Sequence, residues 1–190
     1  ALCDVSEKQI QAFVTKNLGG YKPAPVEYTD PAKMYKDVKP HAVVISTPHT
    51  LHFEHGVQAL KAGCHVLMEK PMVTSSTQAR DLAAVVKKTD KIFVVGYNTP
   101  CTPEFNYIRE TIRKNKLGRL ELVTGYISQN WMKLTTGKWR QEPKWSGGGQ
   151  AYDSGAHLLN ILCWSVESDI AEVYAMLDNH GTQVDINSSI

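Results

Sequence analysis

The chain has 190 residues, with 21 Lys and Arg against 19 Asp and Glu and a formal net charge of +2. Charges of both signs are interspersed without a basic stripe, so nothing indicates nucleic acid, and no apolar run approaches the roughly 20 residues that span a bilayer. The hydrophobic content of 42% and charged content of 21% suit a globular domain with a sizeable core.

The first residues, Ala1-Leu2-Cys3, read as the tail of a strand. With no Met at position 1, an N-terminal piece is expected to precede them, together with any targeting signal. Ser6 and Gln9 form a capping-box signature, and Ile10, Phe13, Val14 and Leu18 give one apolar helical face that ends at Gly19-Gly20. Asp4 thus stands between a strand and a helix. It is either a ribose-binding acid of a dinucleotide fold or an acid favoured by the helix dipole.

Pro25 to Tyr28 reads as a short strand, and Asp30-Pro31 opens a brief helix by the cap-then-proline rule. Ala42-Val43-Val44-Ile45 is a continuous apolar run of the type buried in parallel sheets. It ends at Ser46-Thr47-Pro48, and a helix is predicted from about Thr50 to Ala62, closed by Gly63. Cys64 to Met68 is the next buried strand and runs into Glu69-Lys70-Pro71. A lysine there sits at the carboxyl edge of the sheet, where open α/β sheets bind ligands. The following proline turns the chain, with a cis bond as one option. Ser75 and Gln78 cap a further helix, and Ile92 to Gly96 is another strand. Strand and helix alternate with short connections, which predicts βαβ units and a parallel sheet.

After about Cys101 the texture changes. Thr102-Pro103 opens a helix with Phe105, Ile108 and Ile112 on one face. A long strand is predicted from Arg119 to Asn130, then an irregular stretch with Trp131, Trp139, Trp145 and Gly147-Gly148-Gly149. One helix is predicted from about Gln150 to Trp164, and two strands, Glu172 to Leu177 and Gln183 to Ile190, joined by Asp178-Asn179-His180-Gly181. The fold class is therefore α/β: a partial Rossmann-type parallel sheet over residues 1–101, followed by a partial α+β domain over 102–190 with a mostly antiparallel open sheet.

Asp153 and His157 are four apart on the predicted helix and share one face. With Lys70 they would suit removal of a hydroxyl proton coupled to hydride loss from the same carbon, because His titrates near neutrality. A helix-capping Asp and a packed His explain the same spacing. His49, His52 and His55 lack a carboxylate or cysteine set to complete a metal site, so no metal is expected, and His52 is placed at the sheet edge beside a cofactor. No Gly-x-Ser-x-Gly elbow supports serine hydrolysis. Gly-x-Gly-x-x-Gly is absent, and a phosphate loop would belong just before Ala1. The four cysteines, Cys3, Cys64, Cys101 and Cys163, form no Cys-x-x-Cys pair. They fit a reducing, cytoplasmic compartment without structural zinc.

Together these motifs resemble the Gfo/Idh/MocA family (glucose-fructose oxidoreductase, inositol dehydrogenase and rhizopine-catabolism proteins). Ala42 to His52 looks like its strand and Thr-Pro turn, and Ala62 to Pro71 is similar to its Glu-Lys-Pro signature. Trp139-Arg140, Ser146 to Gly149 and Asp153-x-Gly155-x-His157 resemble its site-closing segment. The resemblance implies NAD(P)-dependent oxidation or reduction of sugars, inositols or related polyols. Lys70 would then touch the substrate hydroxyl and nicotinamide ribose, His157 would be the general acid/base, and Asp153 would orient substrate or His157. Asp4, Thr47, Pro48, His52, Glu69, Trp139 and Arg140 would line the cofactor, and Asn98 and Tyr126 would contact substrate. No Arg follows Asp4, which favours NAD over NADP. A homodimer or homotetramer through the second-domain sheet is implied, since an open sheet needs covering.

The chain departs from the family pattern at three places. His49 stands where Asn is common, Asn160 where an acid is common, and Tyr97 to Pro100 lacks a basic pair. Two other functions fit the same residues: an NAD-using glycosidase working by transient oxidation, and a non-catalytic NAD-binding sensor, which would need no proton acceptor.

Overall fold

A computed structural model describes all residues, Ala1 to Ile190. The first region alternates β1 (Leu2–Cys3), α1 (Glu7–Phe13), β2 (Glu27–Tyr28), α2 (Pro31–Val38), β3 (Ala42–Ile45), α3 (His52–Lys61), β4 (His65–Met68), α4 (Ser76–Lys87) and β5 (Phe93–Val95). All pairings among these strands are parallel: β1 with β2, and β3–β4–β5 in that order. The predicted caps form. Ser6 accepts from the Gln9 amide at 3.4 Å, Asp30 from Ala32 at 2.8 Å, and Ser75 from Gln78 at 3.2 Å. Each supplies an acceptor to an amide that the first helical turn leaves free.

Helices α3 and α4 pack on one face of β3–β4–β5. There Ile45, Ala59, Leu60, Cys64, Val66, Met68, Val73 and Leu82 form a continuous apolar core. Gly56 lets α3 lie close against β4, since a Cβ there would meet Met68 at 3.0 Å. The continuous apolar runs predicted strands covered on both faces, but only one face is covered within this chain. Val44 stands 70% and Leu67 42% exposed on the other.

The second region contains α5 (Pro103–Arg113), α6 (Trp131–Thr135), α7 (Pro143–Ser146), α8 (Gln150–Asp153), α9 (Gly155–Val166), β6 (Met176–Asp178) and β7 (Asn187–Ser189), the last two paired antiparallel. Helix α5 packs on α9. Arg109 lies over the Trp164 ring at 4.2 Å and pairs with Glu167 at the end of α9. No helix is long and apolar enough to cross a membrane.

Four predicted elements differ. The strands expected at Glu172 to Leu177 and Gln183 to Ile190 are reduced to β6 and β7, three residues each. Arg119 to Asn130 is not a strand, because no neighbour supplies a ladder for it. It runs beside α9 instead, where Gly125 allows close approach: a Cβ there would meet Leu158 at 2.7 Å. Helix 150–164 is split at Ser154. In an unbroken helix the Asp153 carbonyl would accept from the His157 amide. Here it accepts from Lys70 Nζ at 3.0 Å, and the His157 amide turns to Ser154 O at 3.2 Å. A long-range side chain has displaced a helical hydrogen bond.

Candidate active site

Lys70 leaves the end of β4 through Glu69 and precedes a cis peptide to Pro71. Its Nζ donates to Asp153 Oδ1 at 2.5 Å as well as to the Asp153 carbonyl. Asp153 is buried, and its other carboxylate oxygen accepts from Trp131 Nε1 at 2.9 Å and Arg140 Nε at 3.1 Å. A buried carboxylate needs such donors, because desolvation otherwise favours its neutral form. Burial pushes the Asp153 carboxyl up. The hydrogen bonds from Lys70 and Trp131, with the charges of Lys70 and Arg140, outweigh that and hold it below its ordinary value. Asp153 is thus a fixed anion clasping a fixed amine.

His157 lies in the first turn of α9 and stands edge-on to Tyr97 at 6.0 Å. Its ring makes no hydrogen bond to the protein and none to Asp153, although the predicted spacing had put them on one helix face. Burial, then the Lys70 charge, lower its pKa against the opposing pull of Asp153 and Glu69. A neutral imidazole at pH 7 has a lone pair free to accept a proton.

The carboxyl edge of the parallel strands collects the other predicted residues. Asp4 follows β1 and is exposed. Its Oδ1 accepts from the Ser6 amide at 2.8 Å, and Oδ2 has no protein partner. Thr47 and Pro48 follow β3, with the Thr47 hydroxyl 3.0 Å from His55 Nδ1. Glu69 is exposed beside Lys70, whose amide it accepts at 3.2 Å. Past β5, a Cβ on Gly96 would stand 3.4 Å from Met68 O, so that chain passes close over the end of β4. Free carboxylate oxygens at the strand ends fit the hydroxyls of a ribose, which can only donate to an ionised acid.

His52 requires a correction. It was expected beside the cofactor, but its ring is 0% exposed. Its Nδ1 lies 2.7 Å from Pro71 O and its Nε2 2.8 Å from Thr47 O. Histidine 52 is a brace that ties the turn after β3 to the turn after β4. Trp139 and Arg140 do reach the site, with Arg140 over the Trp139 ring at 4.3 Å. Asn98 is exposed after β5 with its side-chain amide unpartnered, whereas Tyr126 stands 87% exposed on the unpaired 119–130 segment and is not joined to the Lys70–Asp153 pair.

Three side chains were not foreseen. Trp131 donates to Asp153; the only sequence hint is that a buried indole N–H needs an acceptor. Tyr152 donates its hydroxyl to Val73 O, linking the two regions. His49 is 3% exposed, 3.0 Å from Ser146 O through Nδ1 and edge-on to Trp139 at 4.8 Å. Its Nε2 is 3.8 Å from Asp153 Oδ1, too long for a hydrogen bond. Burial pushes its pKa down to about 4, helped by His52 and Lys70 and opposed by the Ser146 carbonyl and Asp153. It is neutral near pH 7 and donates to Ser146. The predicted row of three histidines is dispersed: His49 turns to Ser146, His52 to Pro71 and Thr47, and His55 to the Thr47 hydroxyl.

Residues 1–97 match the profile of an oxidoreductase family with an NAD-binding Rossmann fold, and residues 105–190 match the GFO/IDH/MocA C-terminal domain. D-glucoside 3-dehydrogenase of Escherichia coli K12 is 31% identical over 86% of this chain and 45% of its own length. Levoglucosan dehydrogenase of Pseudarthrobacter phenanthrenivorans is 27% identical over 72% of this chain and 35% of its own. Among solved structures, the WlbA dehydrogenase of Bordetella pertussis in complex with NADH and UDP-GlcNAcA superposes with a TM-score of 0.85 at 19% identity, covering 98% of this chain and 55% of that one. Myo-inositol 2-dehydrogenase of Lactobacillus plantarum gives 0.79 at 23% identity, covering 93% and 51%. The chain thus spans about half the length of the relatives it matches. It belongs to the GFO/IDH/MocA oxidoreductase family, with a Rossmann-type first region.

Proposed function

We propose that the protein is an NAD-dependent dehydrogenase that oxidises a secondary hydroxyl of a sugar, inositol or related polyol, or reduces the matching carbonyl. When bound, the dinucleotide supplies the hydride acceptor or donor. The observation that carries the reading is the Lys70–Asp153 pair, fixed across the two regions, with the unpartnered, neutral His157 four residues beyond Asp153 at the start of α9. Lys70, two of whose three N–H groups are held by Asp153, gives the third to the substrate oxygen beside the nicotinamide ribose and stabilises negative charge that develops on that oxygen. His157 accepts the hydroxyl proton in oxidation and returns it in reduction. Asp153 aims the amine and, with Arg140 and Trp131, keeps it from swinging into solvent.

Asp4 takes the adenosine ribose diol. Its negative charge, with no arginine beside it, repels a 2′-phosphate, so the reading favours NAD over NADP. Thr47, Pro48 and Glu69 line the nicotinamide half, and Trp139 with Arg140 close over it. Asn98 offers an amide to a substrate hydroxyl. The exposed apolar side chains on and before β6, among them Val173, Tyr174 and Leu177, support self-association of the second region as a homodimer or homotetramer. The four cysteines are free thiols, in keeping with a cytoplasmic setting.

The test is a panel of sugars, sugar glycosides and inositols assayed with the full-length protein for NADH absorbance. Stoichiometric NADH with at least one of them is the expected result. Glycoside cleavage without net NADH would replace this reading with a redox-assisted glycosidase, and silence across the panel with tight NADH binding would leave a sensor.

A further inference from the structure

Helix α8 carries Asp153 at its last position and begins at Gly149–Gln150, yet its own cap position offers no side-chain acceptor. The acceptors come from a residue far along the chain. Asp185 Oδ1 accepts from the Gly149 amide at 2.7 Å, its Oδ2 from the Ala151 amide at 2.7 Å, and its carbonyl from the Gln150 amide at 2.9 Å. Three successive amides at the start of α8 therefore end on one residue. Gly149 is what permits this, because a Cβ there would fall 2.0 Å from the Asp185 carbonyl oxygen. The neighbours of Asp185 serve the same end. Val184 and Ile186, 4% and 7% exposed, form one apolar cluster with Trp131, which donates to Asp153.

We propose that Asp185 is a positioning residue of the Lys70–Asp153 centre, acting as a cap in trans that fixes the start of α8 and so the direction of the Asp153 carboxylate. The inference deepens the dehydrogenase reading and rests on it. Asp185 touches neither the site carboxylate nor Lys70. Its influence passes through one turn of backbone to Asp153, and through Val184 and Ile186 to Trp131. A four-residue helix lacks the internal hydrogen bonds to hold its own orientation, so an external clamp decides where its last side chain points. A misplacement on the order of 1 Å in a catalytic group costs up to about 100-fold in rate.

The test compares Asp185→Asn and Asp185→Ala with wild type in the full-length protein, using the best substrate of the panel. Asp185→Ala is expected to lower kcat by about 10- to 100-fold while the KM for NAD stays within about two-fold. Asp185→Asn keeps one acceptor oxygen and is expected to recover part of that loss. Amide exchange over residues 149–151, followed by mass spectrometry, should rise about ten-fold or more in both variants as the clamp opens. If Asp185→Ala does not fold, the same split and exchange are read in Asp185→Asn. Wild-type kcat in a folded variant overturns the proposal, as does unchanged exchange. A fall in kcat matched by an equal rise in the KM for NAD overturns it too, because that reports general loosening. If wild type oxidises nothing in the panel, the dehydrogenase reading fails, the exchange measurement still tests the clamp, and the catalytic role of Asp185 falls with that reading.

Discussion

The two ends of the Lys70–Asp153 bond are built by different means. Lys70 leaves a strand whose neighbours bury eight apolar side chains in one cluster, and the turn after it is tied by His52. Asp153 sits in a region whose own apolar cluster has three buried members, and its place is set by hydrogen bonds from Lys70, Trp131 and Arg140. The first region resembles a sheet edge that would persist whatever it carried. The second is organised around its charged centre, to the point of breaking a helix so that Asp153 O can face Lys70. Apolar packing gives the amine a fixed platform, while directional polar contacts bring the carboxylate to it. Mutations in the two regions should therefore fail in different ways.

The largest effect is expected where the two meet. Lys70→Ala removes the amine and leaves Asp153 with only Trp131 and Arg140. It should lower kcat by about 1,000-fold or more, while NADH binding, read by fluorescence titration, stays within about five-fold because the β1 and β3 edges remain. Full activity in this variant would end the assignment of Lys70. Leu82→Ala attacks the platform instead. Leu82 is fully buried in the first core, and its loss should cost about 2–5 kcal/mol in a urea titration. The fraction that remains folded should turn over at the wild-type kcat. A parallel fall in kcat would mean that the apolar platform does not hold Lys70 rigidly.

An acid titration sharpens the contrast further, because His49 joins the regions. Its pKa is pushed down to about 4 in the fold, chiefly by burial, against about 6.5 unfolded. The unfolded chain therefore binds the extra proton between those two values. Stability contributed by the neutral ring is fully present above about pH 6.5 and declines as pH falls towards 4, by an amount on the order of 3 kcal/mol. Asp153 acts lower: its depressed pKa gives stability that is present above its unfolded value of about 3.9 and is lost as pH falls through the folded one. His49→Asn should flatten the loss between pH 6.5 and 4 and leave the steeper fall below 4. Chemical denaturation at half-unit pH steps separates the two limbs.

How far the sequence reveals this arrangement follows the same division. The strands around Val43, Val66 and Val94 and the caps at Ser6, Asp30 and Ser75 are local signals, and each element appeared where periodicity and cap chemistry put it. Asp153 and Lys70 were each legible as members of one site, because the strand-end lysine and the Gly-rich approach to Asp153 carry their own signatures. The sequence set Asp153 beside His157 or the substrate, however, and its bond to the amine was not foreseen. The other partners of Asp153 were not legible either. Trp131 and Arg140 reach it across 22 and 13 residues of irregular chain, and no spacing rule links residues that meet through loops. The break at Ser154 was invisible for the same reason: its cause is a side chain 83 positions away. The predicted strand at 119–130 failed because its residue pattern suits β structure, while strand formation depends on a partner that propensity does not reveal.

The smallest effect tests the seam alone. Thr50 Oγ1 faces Lys144 O at 2.9 Å and Trp145 O at 3.2 Å, beside the His49 contact to Ser146. One hydroxyl proton serves both carbonyls, so the two contacts count as a single shared hydrogen bond. Thr50→Val keeps the branched shape and removes only that proton, which should cost about 0.5–1.5 kcal/mol with no change in the first core. The seam also holds through His49, Tyr152 and Lys70, so kcat should stay within about two-fold. A stability loss near that of Leu82→Ala would show that the seam, and not the apolar platform, limits the fold. An undiminished stability would show that solvent replaces the Thr50 contact at no net cost, leaving the His49, Tyr152 and Lys70 contacts to close the two regions on each other.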